Sequence, residues 1–237
     1  IHDSHPGYVL PDLPPGPSTP WPDHIVCFGD HFGRTLDRAS PYWKGRWSVG
    51  GHPWLQAHAS QAGGDPDIGV VLFGQYDRPV QQRIRDLAAE VRHALPGDVS
   101  VVIKPHPREA DCEAFYASAL DAGVQLAGPR DDSYALLGRC KVAVSVFSTI
   151  AVEALAFPCR SAVVRSPYWS EPIVDLVDQG LLDPVEDAAD IVELATARGE
   201  GRDRGDVAAD LFGVGDPELD FERLIEDCQA ALCPRGP

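Results

Sequence analysis

Methionine is absent from this chain of 237 residues, which begins at Ile1, so the natural start is expected to lie outside it. No signal-peptide pattern is visible either. Long apolar runs are missing too. The most apolar stretch, 142–157, is interrupted by Ser145, Ser148, Thr149 and Glu153, and is too short and too polar to span a bilayer. Basic residues are scarce, 20 against 36 acidic, for a net charge of −16. That balance argues against a nucleic-acid partner, which needs a broad basic face, and against docking on anionic lipid. Cysteine spacing is equally unhelpful to a metal or redox motif. Cys27, Cys112, Cys140, Cys159, Cys228 and Cys233 include no C-x-x-C pair, and several sit in apolar runs as small hydrophobes, which suits a reducing cytosol. His24 and His31 form neither an H-E-x-x-H motif nor any other metal spacing. There is no G-x-G-x-x-G after a strand and no P-loop, so dinucleotide and ATP sites lack their fingerprints. "FSTIA" is not a G-x-S-x-G elbow, which counts against a hydrolase serine.

What remains is a chain of ordinary globular composition, 44% hydrophobic and 24% charged. Residues 1–22 hold seven prolines and read as an extended leader or linker. Residues 23–60 read as the remnant or edge of a preceding domain, with short strands expected in "HIVCFGD" (24–30) and "GRWSVGG" (45–51). From 61 to 237 the pattern predicts one Rossmann-like domain. "IGVVLF" (68–73), "VSVVI" (99–103), "VQLA" (124–127), "KVAVSV" (141–146) and "SAVV" (161–164) are apolar strands. Amphipathic helices alternate with them. Asp77 caps one whose Val80, Ile84, Leu87, Ala88, Val91 and Leu95 share a face. Others are expected from about Ala110 to Gly123, around Tyr134–Leu137, from Ser148 to Ala156, from Ser170 to Gly180, and over 187–197 and 218–232. Apolar strands alternating with helices imply a doubly wound α/β fold with a parallel sheet covered on both faces.

Ligands of such sheets sit beyond the carboxyl ends of the strands. Those ends read "GQYDR" (74–78), "KPHPRE" (104–109), "GPRDD" (128–132), "VFSTI" (146–150) and "RSPYWSE" (165–171), and they collect the polar and basic residues that the strand bodies lack. In "KPHPRE", flanking prolines hold His106 between Lys104 and Arg108, so its imidazole N–H is poised to donate to a phosphate oxygen. In "SVFSTIAVEAL" a strand runs straight into a helix start whose unpaired N–H groups, with the hydroxyls of Ser148 and Thr149, form a seat for an anion. Glu153 lies one turn on, within reach of a sugar hydroxyl. Of the three His-Pro pairs, His5-Pro6 lies in the leader and His52-Pro53 marks a turn near the cleft; only His106-Pro107 has basic neighbours at a strand end. Trp43, Trp47, Trp54 and Trp169 are expected in the core, with stacking on a base or sugar as the alternative.

The ordered segments "HIVCFGDHF", "WSVGGHPW", "GVVLFGQ", "VVIKPHPRE" and "VAVSVFSTIAVEALAFP" resemble the carboxy-terminal half of bacterial surface-polysaccharide glycosyltransferases of GT-B fold. They are similar to the capsule, sialic-acid, polysialic-acid and Kdo transferases, and more distantly to CDP-glycerol glycerophosphotransferases and non-hydrolysing UDP-sugar 2-epimerases. Their shared HP and paired-hydroxyl motifs are matched by His106-Pro107 and by Ser148-Thr149, a Ser-Thr pair in place of Ser-Ser. The likeness extends over about 24–195. It implies a nucleotide-sugar donor (CMP-, CDP- or UDP-linked) as substrate, with no cofactor and no metal, and a polysaccharide or lipid-linked acceptor. His106 would be the catalytic contact to a donor phosphate, with Lys104, Pro107, Arg108, Ser148 and Thr149 around it. Glu153 would face the ribose or sugar, and Gly74 and Gln75 would border the base or phosphate. An amino-terminal acceptor-binding domain outside this chain is implied, as is a cytoplasmic location at the inner face of the membrane through partners. Two other readings stand beside this one: a non-catalytic nucleotide-binding module, and a UDP-sugar 2-epimerase-like isomerase.

Overall fold

The structure, a computed structural model, describes residues 22–197 and 205–213. Its elements in chain order are β1 (Ile25–Cys27), α1 (Asp30–Ala39), a 3₁₀ turn (Pro41–Trp43), β2 (Trp47–Val49), α2 (Pro53–Ala59), β3 (Ile68–Phe73), α3 (Arg78–Ala94), β4 (Val101–Lys104), α4 (Cys112–Asp121), β5 (Gln125–Leu126), α5 (Ser133–Leu137), β6 (Cys140–Ser145), α6 (Ile150–Glu153) with a 3₁₀ extension (Ala154–Ala156), β7 (Arg160–Val164), α7 (Glu171–Asp178), β8 (Asp183–Val185), α8 (Ala188–Thr196) and α9 (Gly205–Phe212). Contacts divide the described residues into two units, 22–57 with 205–213, and 58–197. By its contacts α9 groups with residues 22–57.

The larger unit is a six-stranded, all-parallel sheet in the order β5-β4-β3-β6-β7-β8. The chain starts at β3, winds outward to β5, returns to the other side of β3, and winds outward again to β8. Two outward windings of this kind, in opposite directions from the centre of the sheet, define a doubly wound Rossmann-like fold. One face packs Val70, Leu72, Val101, Ile103, Val142 and Val144 against α3, α4 and α8. The other face meets α5 and α6. Burying both faces is what makes the strand bodies continuously apolar.

α3 shows how the sequence sets an element. Asp77 caps it by accepting from the Val80 N–H, Arg78-Pro79 open its first turn, and Val80, Ile84, Leu87, Ala88 and Val91 are buried on one stripe. The aliphatic side chains of Val80, Ile84, Leu87 and Val91 each contribute about 1.5–3 kcal/mol of burial. Pro96 stops the helix after Leu95, and the Arg92 guanidinium covers the exposed carbonyls of Leu95 (2.9 Å), Pro96 (2.7 Å) and Val99.

In the smaller unit β1 and β2 pair in parallel, and α1 packs on α9 through an Arg34–Asp210 ion pair of 2.5 Å. α9 comes so close that a Cβ on Gly29 would run into the Asp210 carbonyl, so only glycine fits there. Neither α1 nor α9 was expected from the sequence, nor was β8. β8 is three residues of an edge strand, with Pro184 where a central strand would need an N–H. The helix expected over 218–232, and the leader up to residue 21, lie outside the described residues.

The segment after β6 also differs from expectation. Regular α-helix covers only Ile150–Glu153 before tightening to 3₁₀ geometry, where Ser148–Ala156 was expected as one helix. Pro158 lies two residues past this segment, at the turn into β7, and there is no room for a longer rod. A four-residue turn has no useful macrodipole. The donors it offers are individual N–H and hydroxyl groups.

Cys27, Cys112, Cys140 and Cys159 are free, buried thiols. Burial raises the Cys27 pKa to about 11, which keeps it an inert core residue. No helix among the described residues is long and apolar enough to cross a membrane.

Candidate functional site

The strand order decides where the polar strand ends meet. β4 and β6 both flank β3, so the loops at 74–77, 105–111 and 146–149 emerge side by side from one edge of the sheet. In register, Phe73 pairs with Lys104 while Leu72 pairs with Val144, which puts the three strands' carboxyl ends level. Loop bases two strands apart are separated by about 10 Å. The winding direction reverses between β3 and β6, the place where open α/β sheets hold ligands.

The loop after β4 is built around the Glu109 carboxylate. Its Oε1 accepts from the His106 backbone N–H at 2.6 Å, and its Oε2 accepts from the Tyr116 hydroxyl at 2.7 Å. Tyr116 is fully buried on α4; burial first, then the Glu109 hydrogen bond, pushes its pKa far up, so it stays a donor. Gly74 leaves room for this arrangement, because a Cβ there would stand 2.5 Å from Glu109 Oε1. Asp111, at φ 54°, turns the chain from the loop into α4.

His106 is half-buried. Its Nδ1 accepts from the Arg108 backbone N–H at 3.1 Å. An accepting Nδ1 carries no proton, so the neutral ring carries its proton on Nε2. Burial lowers the His106 pKa; Arg108 and Lys104 add to the effect and Glu109 opposes it. The ring is therefore a neutral Nε2–H donor near pH 7. Beside it Tyr76 stands 65% exposed, with ring centroids 5.5 Å apart, and the Arg108 guanidinium lies 5.1 Å from the Tyr76 centroid. No carboxylate among the described residues lies within ion-pair reach of Arg108.

Lys104, expected among the phosphate contacts, is 3% exposed, and its Nζ donates to the carbonyls of Pro105 (3.1 Å) and Pro129 (2.8 Å). Burial lowers its pKa, against the pull of Asp131 and Glu109. It ties the loops after β4 and β5 together and adds positive potential from below. Gln75 is also buried, whereas Pro107 and Arg108 are exposed on the loop.

Across β3, Ser148 and Thr149 are half-buried. Ser148 Oγ accepts weakly from the Ile150 N–H at 3.4 Å. Among the described residues the N–H groups of Ser148 and Thr149 donate to nothing, and Thr149 makes no capping bond. Two N–H donors and two hydroxyls are thus presented at the carboxyl edge of β6. Glu153, expected to face a sugar, accepts a hydrogen bond from Tyr134, whose pKa is raised by burial first and then by Glu153.

Trp169 has a role that its composition alone did not reveal. Its Nε1–H is shared between the carbonyls of Val146 (3.0 Å) and Val164 (2.9 Å), closing the ends of β6 and β7. Trp169→Phe removes that donor, and a loss of about 1–3 kcal/mol in urea unfolding is expected. Of the other tryptophans, Trp43 is in the core, Trp47 is half-buried with its Nε1–H on Asp37 (2.9 Å), and Trp54 is 66% exposed. His52 caps α2, its Nδ1 accepting from the Leu55 N–H at 3.1 Å. Glu109 stood in the quoted motif but carried no sequence signal for its role, because its partner Tyr116 lies in the body of α4 and Gly74 just past another strand.

The fold is of the Rossmann-like, GT-B type. No family model matches the sequence, and no curated protein matches it. Solved structures do match, at identities that speak for the fold alone. A Listeria monocytogenes protein assigned as a UDP-N-acetylglucosamine 2-epimerase is similar at 14% identity, TM-score 0.61, over 90% of this chain and 61% of that one. The UDP-GlcNAc 2-epimerase of Methanocaldococcus jannaschii, solved with UDP-GlcNAc and UDP, is similar at 13% identity, TM-score 0.54, over 86% and 61%. The wall teichoic acid polymerase TagF, as its H548A variant, is similar at 11% identity, TM-score 0.52, over 91% and 60%. The chain spans about three fifths of the length of each of these structures.

Proposed function

We propose that this chain is the donor-holding part of a glycosyltransferase that moves a sugar from its nucleotide to a surface-polysaccharide or lipid-linked acceptor. The observation that carries the reading is the pairing, on either side of β3, of a neutral His106 Nε2–H with the unpartnered N–H groups and hydroxyls of Ser148 and Thr149. A diphosphate or phosphate spanning that edge meets donors from both loops, with exposed Arg108 beside them. When an acceptor hydroxyl attacks the sugar carbon and gives up its proton to water, the bond to the nucleotide breaks and its electron pair moves onto the phosphate oxygen. Negative charge grows there, so donors already aimed at it stabilise the transition state more than the ground state. Lys104 contributes through the loops it ties and through its charge, and Arg108 through direct charge pairing.

A second reading, an isomerase acting on a UDP-sugar, is supported by the likeness to the epimerase that holds UDP-GlcNAc and UDP. It uses the same phosphate seat. Product analysis after incubation with UDP-GlcNAc separates the two, since an isomerase returns a nucleotide-linked sugar and a transferase consumes it only with an acceptor. Calorimetric titration with CMP, CDP, UDP and GDP tests the seat itself. At least one should bind, and Ser148→Ala/Thr149→Val should weaken it by about fivefold through loss of hydroxyl donors. Absence of binding by all four overturns the proposal.

A further inference from the structure

We infer that Glu109 is a positioning residue for the imidazole of His106: clamped by Tyr116, its carboxylate fixes the His106 backbone so that the Arg108 N–H reaches Nδ1 and the ring proton stands on Nε2. The inference rests on the reading of His106 as a phosphate donor only for its consequence on binding; the effect on the ring is independent of any ligand.

Three observations converge. The first is the two-sided grip, 2.6 Å to the His106 N–H and 2.7 Å from the Tyr116 hydroxyl, with Tyr116 completely buried. A short bond between a carboxylate and a backbone N–H is of the charge-assisted kind, stronger than a neutral pair. The second is steric: Gly74 follows directly on β3, and any larger residue there would displace the carboxylate. The third is the turn itself. Glu109 N–H donates to the His106 carbonyl at 2.9 Å, so residues 106 to 109 form a closed unit bonded at both ends, with the Arg108 N–H inside it aimed at Nδ1. Proline on either side of His106 limits the backbone, but proline alone does not choose a tautomer. The Arg108 N–H does, and its direction depends on the loop staying closed.

The chemistry gives this a purpose. A ring with its proton on Nδ1 would face the Arg108 N–H donor to donor and would present a lone pair, not a hydrogen, toward the anion. Both outcomes are unfavourable for phosphate. A closed loop therefore converts a residue with two tautomers into a fixed donor, which removes an ordering cost at the moment of binding. The groups that act electrostatically on the ring are Glu109, Arg108 and Lys104. Removal of the Glu109 charge should move the His106 titration midpoint downward.

The experiment uses the full 237-residue chain, labelled with ¹⁵N in histidine, with His106→Gln to assign the ring. Long-range ¹H–¹⁵N spectra in the absence of ligand should show the Nε2–H tautomer in the wild type. Glu109→Ala should show the two tautomers in exchange and bind UDP about tenfold more weakly. Glu109→Gln retains a carbonyl acceptor for the His106 N–H; it should keep the tautomer while lowering the midpoint. Tyr116→Phe frees one side of the carboxylate and should fall between them, covering the case in which Glu109→Ala does not fold. An unchanged tautomer in folded Glu109→Ala overturns the inference, as does an unchanged midpoint in Glu109→Gln. If UDP, CDP, CMP and GDP all fail to bind the wild type while the tautomer still responds to Glu109, the positioning role stands and the phosphate reading falls.

Discussion

His106→Ala is expected to weaken nucleoside-diphosphate binding by about tenfold to a hundredfold. That range follows from losing one hydrogen bond to a charged oxygen, about 1.5–3 kcal/mol. The fold should survive, because the ring is half-buried and its hydrogen bond is to the Arg108 N–H beside it in the same loop. Calorimetry on both proteins measures the change; equal affinities would detach His106 from the site. The same ring predicts a pH effect on stability. Its pKa in the folded chain lies below the usual 6.5, through burial above all. On acidification the unfolded chain takes up this proton first, so the contribution of His106 to stability is present above pH 6.5 and declines as the pH falls toward the folded midpoint. His106→Gln should flatten that part of the stability profile, and urea midpoints between pH 7 and pH 5.5 measure it.

The largest effect on stability is expected within β4, just before the loop. Ile103→Ala should cost about 2–5 kcal/mol, the range for emptying a fully buried aliphatic site. Ile103 is 0% exposed, in a central strand, packed in the cluster that joins β3, β4 and β6 to α3, α4 and α8. The cavity would open where three helices meet strands that are hydrogen-bonded on both sides, so little can collapse to fill it. Lys104, next in the chain, points to the opposite face and holds the loops after β4 and β5 through Pro105 and Pro129. A loss in urea unfolding of less than about 1 kcal/mol would mean that the core repacks around the gap.

The parallel sheet was legible because of its own chemistry. Strands buried on both faces must be apolar throughout, and "IGVVLF" spans the same six residues as β3. Helix ends were legible where a single side chain decides them, as Asp77 does for α3. The edge strand Asp183–Val185 and the four-residue α6 were not, since their lengths depend on neighbours, not on periodicity.

For the site, the sequence alone determined which residue types stand at the strand ends, because a strand's polar terminus is written into consecutive residues. It placed His106, Ser148 and Thr149 there without reference to any distant partner. Only the tertiary structure decided that β4 and β6 both flank β3, that Lys104 turns inward to two carbonyls, and that Glu109, Tyr116 and Gly74 lock the histidine loop. The physical reason is range: capping and burial patterns act over a few residues, whereas a buried charge finds its partner only after strands far apart in the chain have come together.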